Sequence, residues 1–364
     1  MRPFVYNALP ARVVFGVGTI RQVAEEVRRL GCRRALILST PQQQGEAERL
    51  AAQIGDLAAG VFAGAVMHTP VEVTEQAMGH LRDLGADCTI ALGGGSTIGL
   101  GKAIALRSDL PQIAIPTTYA GSEATPILGE TEQGRKTTQR SLRVLPEVIV
   151  YDVDLTLTLP PGLTTTSGMN AMAHAVEALY AQDANPVTSL LAEQAIAVLA
   201  QALPRIVKNR GDRAARADAL YGAWACGTCL GSVGMALHHK LCHVLGGSFG
   251  LPHAETHTVM LPHATAFNAA AAPEAMACIA RALAATDAAQ GLFDLGGELG
   301  APRSLREIGM PENGLNEAAD IAVMSPYWNP RPIERDTIRA LLQDAWDGRP
   351  PDRAYPTLTE TAHV

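Results

Sequence analysis

The 364-residue chain is poor in aromatic residues, with 3 Trp, 6 Phe and 7 Tyr. It also lacks basic charge: 29 Lys and Arg stand against 36 Asp and Glu, a formal net charge of −7. No basic stripe is there to displace counterions, so nucleic acid is excluded as an expected partner. No apolar run reads as a membrane span. The start, Met1-Arg2-Pro3-Phe4-Val5-Tyr6-Asn7, lacks the apolar core of a secretory signal, which makes the cytoplasm the expected compartment. Cysteine is scarce and scattered, at positions 32, 88, 226, 229, 242 and 278, and a cytoplasmic chain keeps such thiols reduced. Cys226 and Cys229 have redox-motif spacing. They lie in a Gly/Ala-rich helical pattern with no strand before it, and so read as small buried thiols. No internal repeat and no low-complexity segment is present.

What the chain has is small apolar residues, with 47% hydrophobic content and 34 Gly. Its length predicts two domains, an α/β domain over 1–158 and an all-helical domain over 159–364. In the first, residues 4–15 read as a hairpin turned at Leu9-Pro10, followed by a helix that Thr19 caps and Gly31 ends. Apolar strands read at 35–38, 61–65, 88–92, 113–116 and 148–152, with helices at 46–53, 71–84 and after Gly95. This alternation predicts a parallel sheet covered on both faces. A turn is expected at 130–139. From Pro160 the periodicity becomes helical, with helices at 167–181, 187–208, 213–229, 232–245, 254–271, 274–286 and 333–346, and a frayed tail over 352–364.

Gly93-Gly94-Gly95-Ser96 stands between a strand and a helix, where unblocked N–H groups and the helix dipole favour an anion such as a dinucleotide pyrophosphate. A plain tight turn has the same composition. The earlier Gly16-Val17-Gly18 lacks the third glycine of the fingerprint. The next loop, from Pro116 to Thr125, is rich in hydroxyls. Thr117, Thr118 and Ser122 there are candidates for the ribose and nicotinamide. Ser39 ends a strand where a carboxylate would select NAD, so NADH and NADPH both remain open.

The densest chemistry lies at His238-His239-Lys240-Leu241-Cys242-His243 and at Pro252-His253-Ala254-Glu255-Thr256-His257. His239 and His243 are four apart, as are His253 and His257, and Asn170 and His174 repeat that spacing upstream. A lone histidine on an apolar helix is usually a satisfied core residue. So many at paired spacing would each bring buried donors and acceptors in need of partners, and the cluster reads as an active site. His238, about a hundred degrees round the helix from His239, reads as structural.

Together these residues resemble the iron-containing alcohol dehydrogenase superfamily, whose fold is shared with dehydroquinate synthase. The markers are Phe15-Gly16-x-Gly18, Gly93-Gly94-Gly95-Ser96, Pro116-Thr117-Thr118 with Gly121-Ser122-Glu123, His174-Ala175-x-Glu177, His239-x-x-x-His243 and Pro252-His253. Within it the chain is most similar to the maleylacetate reductases, through Tyr119, the Ser167-Gly168-Met169-Asn170 helix start, and Ser325-Pro326-Tyr327-Trp328-Asn329-Pro330-Arg331-Pro332. The resemblance implies NADH- or NADPH-dependent reduction of maleylacetate to 3-oxoadipate, a small dicarboxylate substrate, a homodimer, and Lys136 as a further cofactor contact. Tyr119, Lys240 and Arg331 become the substrate-binding candidates.

Two departures stand out. Metal-binding members place an Asp where this chain has Asn170, ahead of His174, His239 and His253. The usual Asp after Gly-Gly-Gly-Ser is Gly99. A carboxamide is a poor ligand for Fe²⁺ or Zn²⁺ beside an anionic substrate, so no metal is expected. Reduction of a conjugated alkene places charge on a ketone oxygen as an enolate, which imidazole N–H groups can stabilise and imidazole can protonate on carbon. His243 and His253 are expected as the main donors, with His174, His239 and Asn170 lining the pocket. The rival readings are a metal-dependent alcohol or polyol dehydrogenase, a dehydroquinate-synthase-like lyase, and a non-catalytic NAD-binding sensor.

Overall fold

The computed structural model describes residues 3–133, 135–324, 327–351 and 355, with the side chains of Arg135 and Lys136 outside that description. The tail expected over 352–364, Tyr355 apart, and Ser325-Pro326 of the marker segment fall outside it too. The chain forms two compact units. One is Ala8–Leu159 with Gly211–Leu220; the other is Pro160–Arg210 with Tyr221–Val364 and the described residues up to Asn7.

The first unit holds β1 (Arg12–Gly16), β2 (Ala35–Leu38), β3 (Ala58–Phe62), β4 (Cys88–Gly93), β5 (Gln112–Pro116) and β8 (Val148–Asp152), parallel in the order β1-β8-β5-β4-β2-β3. Helices α1 (Val23–Arg29), α2 (Gln44–Ile54), α3 (Val71–Asp83) and α4 (Gly95–Ser108) connect them. Strand periodicity divides the core. Ile37, Ile90, Leu92, Ile113 and Val150 pack with Val27 and Leu50 on one face, while Leu36 and Leu38 pack with Leu81, Leu100 and Ile104 on the other. The chain leaves β2 for β3 on one side and β4 for β5 on the other. The carboxyl ends of β2 and β4 therefore flank the switch point, where open α/β sheets take their ligands.

Three sequence expectations change here. Residues 3–11 form no strand, so the N-terminal hairpin is absent. Pro3 and Pro10 cannot donate to a ladder, and β1 instead pairs with β8 from Arg12↔Val148 to Gly16↔Asp152. Thr19 does not cap its helix. Its hydroxyl donates to the Tyr151 carbonyl at 2.8 Å, and the Asp152 carboxylate accepts from the Gly18 and Ile20 amides at 2.9 Å each. The segment expected as a turn at 130–139 is an antiparallel hairpin of β6 (Ile127–Glu132) and β7 (Arg135–Arg140).

The second unit is helical: α5 (Pro161–Leu179), α6 (Pro186–Lys208), α8 (Leu237–Phe249), α9 (His253–Asn268), α10 (Pro273–Ala282), α11 (Ala288–Glu298), α12 (Leu315–Met324) and α13 (Arg335–Asp347), with α7 (Arg213–Ser232) contributing from Tyr221 onward. Asn185 begins α6 with a full capping box. Contrary to the reading from sequence, α6 is long and apolar enough by composition to cross a membrane. It carries a buried stripe of Ala195, Ile196, Leu199, Ala202, Leu203 and Ile206, packs against α5, and ion-pairs Glu193 with Arg281 of α10, as a core helix does. α8 does not break at Gly246-Gly247 but runs to Phe249, where Gly250 turns left-handed at φ 66°.

Candidate active site

In the sheet unit the glycine turn is built by close approach. Gly93 has φ 156°, and a Cβ there would meet Thr97 Oγ1 at 2.4 Å and Gln43 Oε1 at 2.8 Å. At Gly94 a Cβ would meet Thr118 Cγ2 at 3.0 Å, whereas Gly95 opens to solvent. α4 starts at Gly95, and the Thr97 amide already donates to the Gly94 carbonyl at 3.0 Å, so the first-turn amides open to an anion are those of Gly95 and Ser96. At Gly99 the room for a side chain is taken, because Thr69 Oγ1 lies 2.4 Å from where its Cβ would be. At the end of β2 the Ser39 hydroxyl is fully buried with no hydrogen-bond partner among the described residues. Gln43, missed in the sequence, donates to Thr117 Oγ1 at 3.1 Å and ties the loops after β2 and β5 together.

The hydroxyl-rich loop is held from below by Lys102 of α4. Its ammonium donates to the Ser122, Thr125 and Ile127 carbonyls at 2.6, 2.7 and 2.9 Å and to Thr125 Oγ1 at 2.9 Å. Burial pulls Lys102 down to about 7, against the attraction of Glu123. Glu123 is itself raised by burial and accepts from Tyr151 Oη at 2.8 Å. Tyr119, a substrate candidate from sequence, is fully buried and takes Arg216 Nη1 on its hydroxyl at 3.2 Å, which makes it a packing residue of this unit. Lys136 lies on β7, and its side chain is outside the described residues.

In the helical unit, spacings of four and three put Asn170, His174 and Glu177 on one face of α5, all buried. The Glu177 carboxylate receives the start of α8: the Ala236 and His238 amides donate at 2.9 and 2.8 Å, the His239 amide at 3.5 Å, and His239 Nδ1 at 2.7 Å. The helix dipole favours an anion there. His239 stands between His174 and His257, with ring centroids 5.1 and 5.0 Å away. His257 packs on His253 at 4.3 Å, and its Nδ1 lies 2.9 Å from His238 Nε2. Burial, and then the neighbouring imidazoles, lower His174, His238 and His257 well below 6.5, so these rings are neutral at neutral pH.

The cluster therefore has two tiers. His174, His239 and His257 are buried, whereas His243 is exposed and His253 half-buried. Asn170 Oδ1, His174 Nδ1, His239 Nε2 and His257 Nε2 are buried without a hydrogen-bond partner among the described residues. Buried polar atoms of this kind call for a ligand or ordered water to satisfy them. His257, counted from sequence for its spacing alone, belongs at the centre. Glu177 appears in the sequence as a motif marker; its position three after His174 is the signal that places it.

The two basic candidates are placed differently. Arg331 is buried, stacks at 4.4 Å over the Phe267 ring, and donates to the carbonyls of Phe267 and Tyr355, so its guanidinium is committed to the core. Lys240, half-buried, reaches over the Tyr327 ring at 5.4 Å. As metal donors, Asn170, His174, His239 and His253 offer three imidazoles and a neutral carboxamide. Among the described residues, ligand atoms of three groups converge within 4.8 Å at His238/Cys242/His257 and at Cys32/Asp87/Cys88. Neither group includes Asn170, His174, His239 or His253.

Comparison with known proteins covers both units. Residues 10–153 match the model of iron-containing alcohol dehydrogenases, and residues 164–346 that of the C-terminal region of the Fe-containing alcohol dehydrogenase family. The chain is 58% identical to the maleylacetate reductase of Rhizobium sp. (strain MTP-10005), across 97% of this chain and all of that protein. It is 56% identical to the maleylacetate reductase of Burkholderia cepacia, across 96% of this chain and 99% of that one. The crystal structure of maleylacetate reductase from Agrobacterium tumefaciens matches 96% of this chain and all of its own, at a TM-score of 0.94 and 58% identity.

Proposed function

The chain belongs to the iron-containing alcohol dehydrogenase family, and from that premise we propose that it is an NAD(P)H-dependent maleylacetate reductase, which converts maleylacetate to 3-oxoadipate. The observation that carries this reading is identity above half to maleylacetate reductases along nearly the whole chain, together with Asn170 in the histidine cluster. The reading also takes the cytoplasm as the compartment, supported by six free thiols, and a homodimer as the working form.

Gly93, Gly94, Gly95 and Ser96 cradle the pyrophosphate, with Thr117, Thr118 and Ser122 toward the ribose and nicotinamide and Lys136 as a further contact. No carboxylate ends β2 at Ser39, so this strand end does not select NADH over NADPH. When bound, the reduced nicotinamide supplies a hydride to the alkene carbon β to the ketone. His243 and His253, the accessible rings, donate N–H hydrogen bonds to the ketone oxygen as it becomes an enolate. Asn170, His174 and His239 shape the pocket, and a histidine returns a proton to the carbon beside the ketone. Lys240 faces a substrate carboxylate. No metal takes part, because a carboxamide stands where a ligand carboxylate would be needed and the enolate is served by imidazole.

The test is oxidation of NADH and of NADPH with maleylacetate, with and without a chelator, against alcohols and aldehydes as controls. Turnover of maleylacetate indifferent to the chelator is expected. A stoichiometric iron or zinc whose removal abolishes activity would overturn the metal-free part, and turnover of an alcohol alone would overturn the substrate.

A further inference from the structure

The carboxylate of Glu177 is fully buried, and its nearest charge-compensating partners are three backbone amides and one imidazole. The contact to His239 Nδ1, at 2.7 Å, is the shortest of the four. An ionised carboxylate is acceptor-only, so Nδ1 must carry the hydrogen. That leaves Nε2 as the ring atom His239 presents to His174 and His257, and Nε2 is buried without a partner among the described residues. The other rings are held less decisively. His257 shares Nδ1 with His238 Nε2, an arrangement that works with the hydrogen on either side.

We infer that Glu177 is a positioning residue of the reduction, fixing His239 by its Nδ1–H so that Nε2 is the atom through which the final proton passes. The inference rests on the proposed reaction. In that step His239 acts as an imidazolium with hydrogen on both nitrogens: its Nε2–H bond breaks, a C–H bond forms at the carbon beside the ketone, and the ring left behind carries its hydrogen on Nδ1. The enolate electrons make the new bond and the ring keeps its nitrogen pair. Nothing is oxidised or reduced in the step, and water restores the proton. Glu177 never touches the substrate. It holds the ring in one orientation by its Nδ1–H, offsets the charge of the imidazolium before transfer and fixes the tautomer of the neutral ring after it, as the carboxylate of a catalytic triad does. The same side chain docks the first turn of α8 onto α5, so ring and helix are set together.

A double-mutant cycle separates this role from a merely structural one. Glu177→Gln preserves shape and removes the charge. It should lower kcat by about 10²-fold or more, since an amide in place of a triad carboxylate costs about 10⁴, while KM for NADH and for maleylacetate stays within about twofold. In a His239→Gln background the same substitution should change kcat by less than about threefold. An equal loss in both backgrounds overturns the inference. For the case in which Glu177→Gln fails to fold, ¹⁵N-histidine NMR of the unaltered protein decides, with His239→Gln identifying the resonance. A hydrogen on Nδ1 supports the inference and a neutral ring with its hydrogen on Nε2 refutes it. Absence of maleylacetate turnover in the unaltered protein would sink the functional reading, while the spectrum would still rule on the tautomer.

Discussion

His263 gives the sharpest test of the energetics. It sits on α9 at 0% exposure, 6.4 Å from the Phe293 ring, with no hydrogen-bond partner on either nitrogen among the described residues. Burial lowers it from 6.5 to about 4. Between those two values the unfolded chain binds a proton that the folded chain does not, so stability falls as pH falls through that window. At about 1.36 kcal/mol per pH unit, the group costs about 2 kcal/mol at pH 5 and about 3 kcal/mol near pH 4. His263→Leu removes the titration and two unsatisfied polar atoms. Urea denaturation of parent and variant at pH 7.5 and pH 5 reads the effect. The variant's advantage should grow by about 2 kcal/mol on going to pH 5. His174, His238 and His257 titrate in both proteins and cancel in that difference. A gap that stays constant within about 0.5 kcal/mol, well below the expected change, would refute the argument that the ring is neutral and buried dry.

Gly94→Val drives a side chain into Thr118 Cγ2, and should raise KM for NADH about tenfold or more while the melting temperature holds; unchanged cofactor affinity removes the glycine turn from the site. His243→Ala and His253→Ala should each lower kcat by about 10²–10³-fold with little change in NADH binding, and full activity in both would exclude them as enolate donors. Asn170→Asp adds a negative charge to a buried cluster, so it should slow alkene reduction and let the protein retain a divalent ion through dialysis, measured by metal analysis. A faster, metal-free variant would contradict the enolate argument. Lys240→Ala should raise KM for maleylacetate more than about twofold, whereas Arg331→Ala should show chiefly as a lowered melting temperature, because its guanidinium serves carbonyls of the core.

The features legible in the sequence are those with a local cause. Short apolar runs at 35–38 and 148–151 suit strands covered on both faces, and every residue of β2 and β8 is buried. Residues 4–8 are apolar enough to suggest a strand, yet those up to Asn7 group with the helical unit, while β1 pairs with β8 alone in the sheet. The β6–β7 hairpin hides behind a polar stretch of Thr131, Thr137 and Thr138 with little alternation to announce it. In the site, the spacing of Asn170, His174, His239, His243 and His253 points to one place, yet says nothing of depth. Exposure separates His243 from the buried His239 one turn away. Glu177 acts on the amides of a helix sixty residues on, a relation that no local pattern carries. Arg331 and Tyr119 illustrate the converse: each looks like a ligand-binding group in sequence, and each finds its partners inside its own unit.

Lys102 gives the sheet unit a property that matters when such enzymes are recombined. One ammonium spans from α4 to three carbonyls at Ser122, Thr125 and Ile127, so the helix that starts at the glycine turn and the loop after β5 share a single anchor. A loop grafted in from a relative with another geometry would leave a buried cation facing too few acceptors. A graft of α4 lacking the lysine would leave buried carbonyls without a donor. The two segments are thus inherited as a block, and a chimera whose junction falls between residues 102 and 122 keeps neither.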